Sequence, residues 1–328
     1  MNKIIDIAFV FDDKFCDLFK VATYSIAINT NSKLAIHVVD CGIAEENKEQ
    51  LRKFLSTFKN ISSVEFRFPQ RIDILEKFPM KSHFSPAIFY RLAIPKIFPE
   101  LSRVIYLDCD TITTGDISNL WNEDLQGRPF GAVEEDGNFS DEKTKLRKMK
   151  EINLPKDNHY YNSGALLIDT HKFESDKIFE RVLEIIAKTN LKLSCPEQDA
   201  MNLCLADNEH MALPAIYNFM PFAPLAKQYL KNSGNVIIVH HASTKPWHMN
   251  KTIVKMFHFF GFYHYSTGVF LQYWEYADCV DKKKFSNGNI FPALKFFYKC
   301  FFQPFERYII RRFCYLVKFQ FIKLREKI

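Results

Sequence analysis

The stretch Arg103-Val-Ile-Tyr-Leu-Asp-Cys-Asp-Thr-Ile-Thr-Thr-Gly-Asp116 constrains this chain more than any other. Val104 to Leu107 is a short β-branched and aromatic run, which reads as a buried strand. It stops at Asp108-Cys109-Asp110. Residues i and i+2 of an extended chain point to the same side. Two carboxylates therefore converge at the carboxyl end of a strand, where open α/β sheets bind ligands. Close carboxylates resist double ionisation unless a cation stands between them. Hard divalent ions such as Mg2+ or Mn2+ take oxygen ligands and keep positions open for phosphate oxygens. Asp108 and Asp110 thus read as a metal clamp for a diphosphate; the plainer reading is two solvated turn carboxylates.

The segments before the clamp alternate in type. Ile4 to Val10 reads as a strand followed by Asp12-Asp13, Leu18 to Thr30 as a helix and Leu34 to Asp40 as a second strand. Glu45 to Phe58 reads as an amphipathic helix and Val64 to Phe68 as a third strand. Such β-α-β-α-β order predicts an α/β fold with a mostly parallel central sheet. Neither a Gly-x-Gly-x-x-Gly turn nor a Gly-rich Lys loop follows the first strand, so a bound nucleotide would lean on the metal for its phosphates.

The remaining polar candidates sit at element ends. Pro86 is placed to open a helix that carries Arg91, a partner for a diphosphate or simply a paired surface cation. Phe130 to Glu135 reads as a strand ending in acids, and Ser140 to Ile152 as a solvated, charge-rich helix. Asn162 precedes a small-residue turn into an apolar strand, and its amide suits sugar hydroxyls as well as it suits a turn. Phe173 to Lys188 reads as one helix. Cys195-Pro196 opens another, with Glu197, Gln198 and Asp199 in its first turn. Val236 to Val239 is a last apolar strand running into His240-His241, with Lys245 close behind. A His at a strand end serves as a metal ligand and a nearby Lys meets phosphate.

Taken together, these segments resemble the family 8 glycosyltransferases, and among them the bacterial lipooligosaccharide and lipopolysaccharide hexosyltransferases. The likeness rests on Phe11-Asp-Asp13, Phe89-Tyr-Arg-Leu92, Val104 to Asp110, Tyr160 to Gly164 with Glu197-Gln-Asp199, and His240 to Trp247, in the family's order. It implies a GT-A type fold, a UDP-sugar donor of galactose or glucose, Mn2+ or Mg2+, and transfer with retention of configuration. Residue by residue, it implies Asp108, Asp110 and His240 as metal ligands, with His241 as the alternative. Asp12 would lie near the uracil, Arg91 near the donor, Asn162 near the donor sugar and Lys245 on the diphosphate. Glu197 and Gln198 would line the reacting face. Two departures stand out: Glu197 occupies a position where the family has Asp, and His240 lies five residues before Lys245 rather than six. A further family carboxylate falls on Glu135 or Asp136.

Residues 1–250 are therefore expected to form the catalytic domain, and 251–328 a C-terminal basic, aromatic, amphipathic helical extension. Net charge is +6, yet Pro292 to Ile328 alone holds nine Lys and Arg against two Glu. Ile310, Phe313, Val317, Phe321, Leu324 and Ile328 recur at helical spacing, which suggests contact with an anionic inner-membrane surface. With the basic charge confined to the tail and no recognition module in view, nucleic acid is not an expected partner. A lipid-linked oligosaccharide or other glycan is the expected acceptor. Eight Cys without any Cys-x-x-Cys read as reduced thiols of a cytoplasmic protein. The N-terminus reads as a strand rather than a signal peptide, and no apolar run of about 18 residues is present. Two other function classes fit parts of the pattern. One is a non-catalytic glycan- or membrane-binding protein on the same scaffold. The other is a metal-dependent phosphatase of the Asp-x-Asp type, for which Ile112 stands where Thr or Val is usual.

Overall fold

In a computed structural model of the chain, the described residues are 4–69, 86–135, 142–155, 158–188, 195–205, 209–221, 235–242, 245–248, 255 and 265–281. The anticipated basic tail and Asp136 lie outside them. The first strand, β1 (Ile5–Phe11), feeds a single 3-10 turn at Asp13–Phe15 and then α1 (Cys16–Asn29). β2 (Leu34–Asp40) is buried along its whole length, as a strand inside a parallel sheet must be. It is followed by α2 (Glu45–Leu55), three residues shorter than the sequence reading, and β3 (Ile61–Arg67). After the 3-10 helix Pro86–Ala93 and the short α3 (Ile94–Ile97) come β4 (Arg103–Leu107) and β5 (Thr111–Thr113).

The second half supplies α4 (Ser118–Trp121), β6 (Phe130–Glu134), α5 (Glu142–Glu151) and β7 (Tyr161–Asp169). The helix expected over Phe173 to Lys188 is two helices, α6 (Thr170–Ser175) and α7 (Ile178–Lys188). Lys177, at φ 53°, takes a left-handed conformation that stops the helical ladder between them. Then follow α8 (Pro196–Cys204), β8 (Met211–Ala212) and β9 (Ile238–His240).

Seven strands form one sheet in the order β3-β2-β1-β4-β7-β6-β8. The β3-β2-β1-β4 half is parallel, whereas β7 runs antiparallel to both of its neighbours, β4 and β6. Strand β9 does not join this sheet. It pairs antiparallel with β5 in a separate two-stranded ribbon. Phe89, Leu92, Val104, Tyr106, Phe130, Leu166 and Phe173 are among the residues that build the main core on the β4-β7-β6 half.

The chain divides into two compact units, Met1–Thr244 and Lys245–Ile328. In the second, Trp247 packs against Tyr273 of α9 (Tyr265–Asp281), ring centroids 5.3 Å apart. Among the described residues no helix is long and apolar enough to cross a membrane.

Asp40 closes β2. It accepts the N–H groups of Ile43 and Gly42 at 2.7 and 3.0 Å and pairs with Lys48 at 2.8 Å. Burial pushes its pKa up, but these three donors outweigh burial and leave it lowered. A depressed carboxylate contributes stability above its unfolded pKa, about 3.9, and loses it as pH falls through the folded value. Asp40→Ala should lower unfolding stability by roughly 1–3 kcal/mol at neutral pH. In urea melts followed by circular dichroism, the gap to wild type should close below about pH 4.

Candidate active site

The clamp is assembled by three pieces of backbone. At the end of β4, the Asp108 N–H donates to Gly164 O at 2.8 Å. The Thr111 hydroxyl returns to Asp108 O at 2.9 Å and closes the turn that presents Asp108 and Asp110. The chain then enters β5, where Thr111 stands opposite His240 of β9, and the His241 N–H donates to Asp110 O at 3.0 Å. His240 Nε2 thereby comes within 3.2 Å of Asp110 Oδ1 and 3.8 Å of Asp108 Oδ2. One ligand atom from each of the three residues lies within 4.8 Å of the others. Among the described residues this group contains His240 and not His241. Two carboxylates and an imidazole at this spacing form a donor set suited to one divalent cation. Cys109, between the carboxylates, is buried, and burial holds its thiol well above the ordinary pKa.

Room for His240 comes from a bulge. β7 pairs regularly with β6 up to Ala132 and Leu166, then resumes at Val133 and Asn162. The intervening Ser163, Gly164 and Ala165 belong to a long bulge, not to the turn that the small residues suggested. Bulges of this kind re-aim side chains next to sites. A Cβ on Gly164 would collide with the His240 ring, 2.8 Å from Nδ1, and stand 2.9 Å from Asp108 Oδ2.

Arg91 is a paired cation inside the site. Its Nη2 lies 3.2 Å from Asp108 Oδ1 and its Nη1 3.7 Å from Glu197 Oε1. Nη1 also donates to the carbonyl and hydroxyl oxygens of Ser163, both at 3.1 Å. Burial works against the guanidinium charge, but Asp108, Tyr106 and Glu197 more than offset it and raise the pKa. Tyr106 stacks beneath Arg91 at 5.0 Å and donates its hydroxyl to Asp108.

The first turn of α8 faces the bulge. Gln198 Oε1 accepts the Asn162 amide at 3.1 Å, Ser163 N–H at 3.0 Å and the Ser163 hydroxyl at 3.2 Å. Its Nε2 donates to Tyr160 at 3.2 Å and Glu135 at 3.4 Å. Glu197 is buried, and burial raises its pKa despite Arg91. Its Oε1 accepts the Ser163 hydroxyl at 3.3 Å, whereas its buried Oε2 has no hydrogen-bond partner among the described residues.

Asp12 follows β1, the parallel neighbour of β4, so it reaches the same sheet edge as Asp108. It caps the Asp13–Phe15 turn through Lys14 N–H at 3.1 Å. Lys245 opens the second unit, its ammonium 5.6 Å from the Trp247 ring.

Three participants escaped the sequence reading, and a fourth, Glu135, was left open in it. Ser163 links Arg91 to Gln198. Glu135, weighed only against Asp136, is fully buried and accepts from Asn162. Lys148, within a helix read as a solvated face, reaches the fully buried Asp199 at 2.6 Å. Asn218, in a stretch without periodicity, bonds the ring of His240 at 2.9 Å. An i, i+3 search for apolar residues finds Met149 and Ile152, both buried, at the end of α5, but nothing local marks Asn218.

The family description Glycosyl transferase family 8 matches residues 6–251. General stress protein A of Bacillus subtilis is 28% identical over 266 residues, spanning 76% of this chain and 89% of that protein. The lipopolysaccharide glucosyltransferase WaaO of Escherichia coli is 25% identical over 255 residues, 75% of this chain and 74% of its own. Among solved structures, the galactosyltransferase LgtC, in complex with donor and acceptor sugar analogs, aligns with TM-score 0.66 at 21% identity. It covers 84% of this chain and 96% of that one. The fold is thus GT-A-like, with the mostly parallel central sheet expected.

Gly164→Ala should displace His240 from the two carboxylates. Isothermal titration of Mn2+ into folded wild type and variant is expected to show binding weakened at least about 10-fold by the added methyl. Equal affinity would mean that His240 is no part of the centre.

Proposed function

The chain belongs to glycosyltransferase family 8, and on that footing we propose that it is a retaining hexosyltransferase. It moves galactose or glucose from a UDP-sugar to a lipopolysaccharide, lipooligosaccharide or related glycan acceptor. The observation that carries this reading is the convergence of Asp108, Asp110 and His240 at the carboxyl edge of the sheet. These three would hold Mn2+ or Mg2+, and the imidazole in the set favours Mn2+ over the all-oxygen preference of Mg2+. A bound cation would supply Lewis-acid neutralisation of the departing diphosphate.

The protein's own groups do the rest. Arg91 pairs with Asp108 and Glu197 and holds the two carboxyl groups in place. The unpartnered Glu197 Oε2 is an acceptor for a hydroxyl of the donor sugar, with Asn162 beside it. A longer carboxylate than the family's usual Asp shifts that acceptor outward by about one methylene. Gln198 Oε1 already accepts the Asn162 amide and the Ser163 N–H, and shares the Ser163 hydroxyl proton with Glu197 Oε1. An uncharged, fully engaged amide oxygen is a poor nucleophile, which favours front-face attack by the acceptor hydroxyl from the leaving-group side. Trapping a glycosyl adduct on a side chain would refute that. Asp12 is assigned to the uracil and Lys245 to the diphosphate by their places in the motifs. A cytoplasmic location at the inner-membrane surface rests on the basic tail's sequence.

UDP release from a panel of UDP-sugars, with Mn2+ or chelator, tests the proposal. Release from one UDP-hexose should require metal and fall on the order of 100-fold in Asp110→Asn. Folded, metal-supplied protein that cleaves no UDP-sugar would overturn it.

A further inference from the structure

His240 Nδ1 lies 2.9 Å from Asn218 Oδ1, and Asn218 Nδ2 donates to Asn162 Oδ1 at 2.7 Å. Both amides are buried. Their orientation follows from groups with no choice of role. The Gly164 N–H is donor-only and faces Asn162 at 2.9 Å, so the atom there must be Oδ1. Asn162 Nδ2 then faces the Glu135 carboxylate and Gln198 Oε1, both acceptors. With Asn162 Oδ1 also turned to Asn218, the Asn218 atom opposite it must be the NH2 group. Asn218 Oδ1 is left for His240, and an acceptor there requires hydrogen on Nδ1. The Nε2 lone pair is then aimed at Asp110 and Asp108, 3.2 and 3.8 Å away. A lone pair and two carboxylates facing one another is an arrangement that a cation resolves.

We propose that Asn218 is a positioning residue. It fixes the Nδ1–H tautomer of His240 and ties the metal half of the site to the sugar half at Asn162. The proposal builds on the metal-centre reading above, but its central claim concerns the protein alone. Ligating imidazoles commonly donate their second nitrogen to such a partner, and loss of the partner typically weakens metal binding about 10- to 100-fold.

The test is nitrogen-15 NMR of the metal-free protein at a pH where imidazole is neutral, about 9. The His240 signals are assigned by their loss in His240→Gln. Wild type should show hydrogen on Nδ1. Asn218→Ala should move toward the Nε2–H form that free imidazole favours, and its Mn2+ dissociation constant, read from free Mn2+ by electron paramagnetic resonance, should rise about 10-fold or more. Asn218→Asp retains an oxygen opposite Nδ1 and should retain the wild-type tautomer. Hydrogen on Nε2 in wild type would overturn the proposal, and so would unchanged tautomer and affinity in a folded Asn218→Ala. The wild-type spectrum decides the matter even where a variant fails to fold. A protein with Nδ1–H at His240 that neither binds Mn2+ nor releases UDP would sink the metal-centre reading and leave the positioning role standing.

Discussion

Everything at the carboxyl edge of the sheet depends on one buried guanidinium. The half-buried Asp108 and Asp110 and the buried Glu197 are brought close together here, and neighbouring carboxylates repel one another. Arg91 sits between Asp108 and Glu197, anchored to Ser163 and lying over Tyr106. An unpaired buried charge costs several kcal/mol, so neither Arg91 nor its partners would be tolerated alone. One guanidinium does not balance three carboxylates. The surplus carboxyl groups, concentrated beside the His240 ring, are what would attract a divalent cation there. The helix ahead of β4 and the strand itself thus serve a single electrostatic purpose.

The parts of this arrangement that were legible in the sequence are those with a local signature. The strand ending in Asp-x-Asp is one, and the Pro-led helix start holding Glu197 and Gln198 is another. The parallel half of the sheet was readable because β1, β2 and β4 are short apolar runs bounded by polar turns. What stayed hidden is produced by pairing between distant segments. The bulge at Ser163 to Ala165 arises because β7 keeps register with β4 on one side and slips against β6 on the other. Its small residues look like a turn to any local reading. Lys148 hides for a different reason. A helix dense in Lys and Glu gives no sign that one of its lysines points at a buried aspartate. Asn218 has neither periodicity nor an unusual neighbour, and its importance lies entirely in what β9 places against it.

Kinship adds a second line of support that does not depend on the side-chain geometry. The family match covers the segment holding every element of the clamp, and relatives that include a lipopolysaccharide glucosyltransferase align over three quarters of the chain. The buried Glu197 Oε2, without a hydrogen-bond partner among the described residues, lies within the segment that the family match covers.

The β5-β9 ribbon also sets a timetable. It joins Asp110 to His240 across 130 positions of sequence. During vectorial synthesis the two aspartates emerge on the order of 10 s before the histidine, at usual elongation rates. Until β9 arrives, Asp108 and Asp110 stand close together without the His240 imidazole beside them. Any metal capture by the three residues together would therefore wait until β9 has been made. A nascent or truncated polypeptide lacking this strand carries the signature motif without the chemistry.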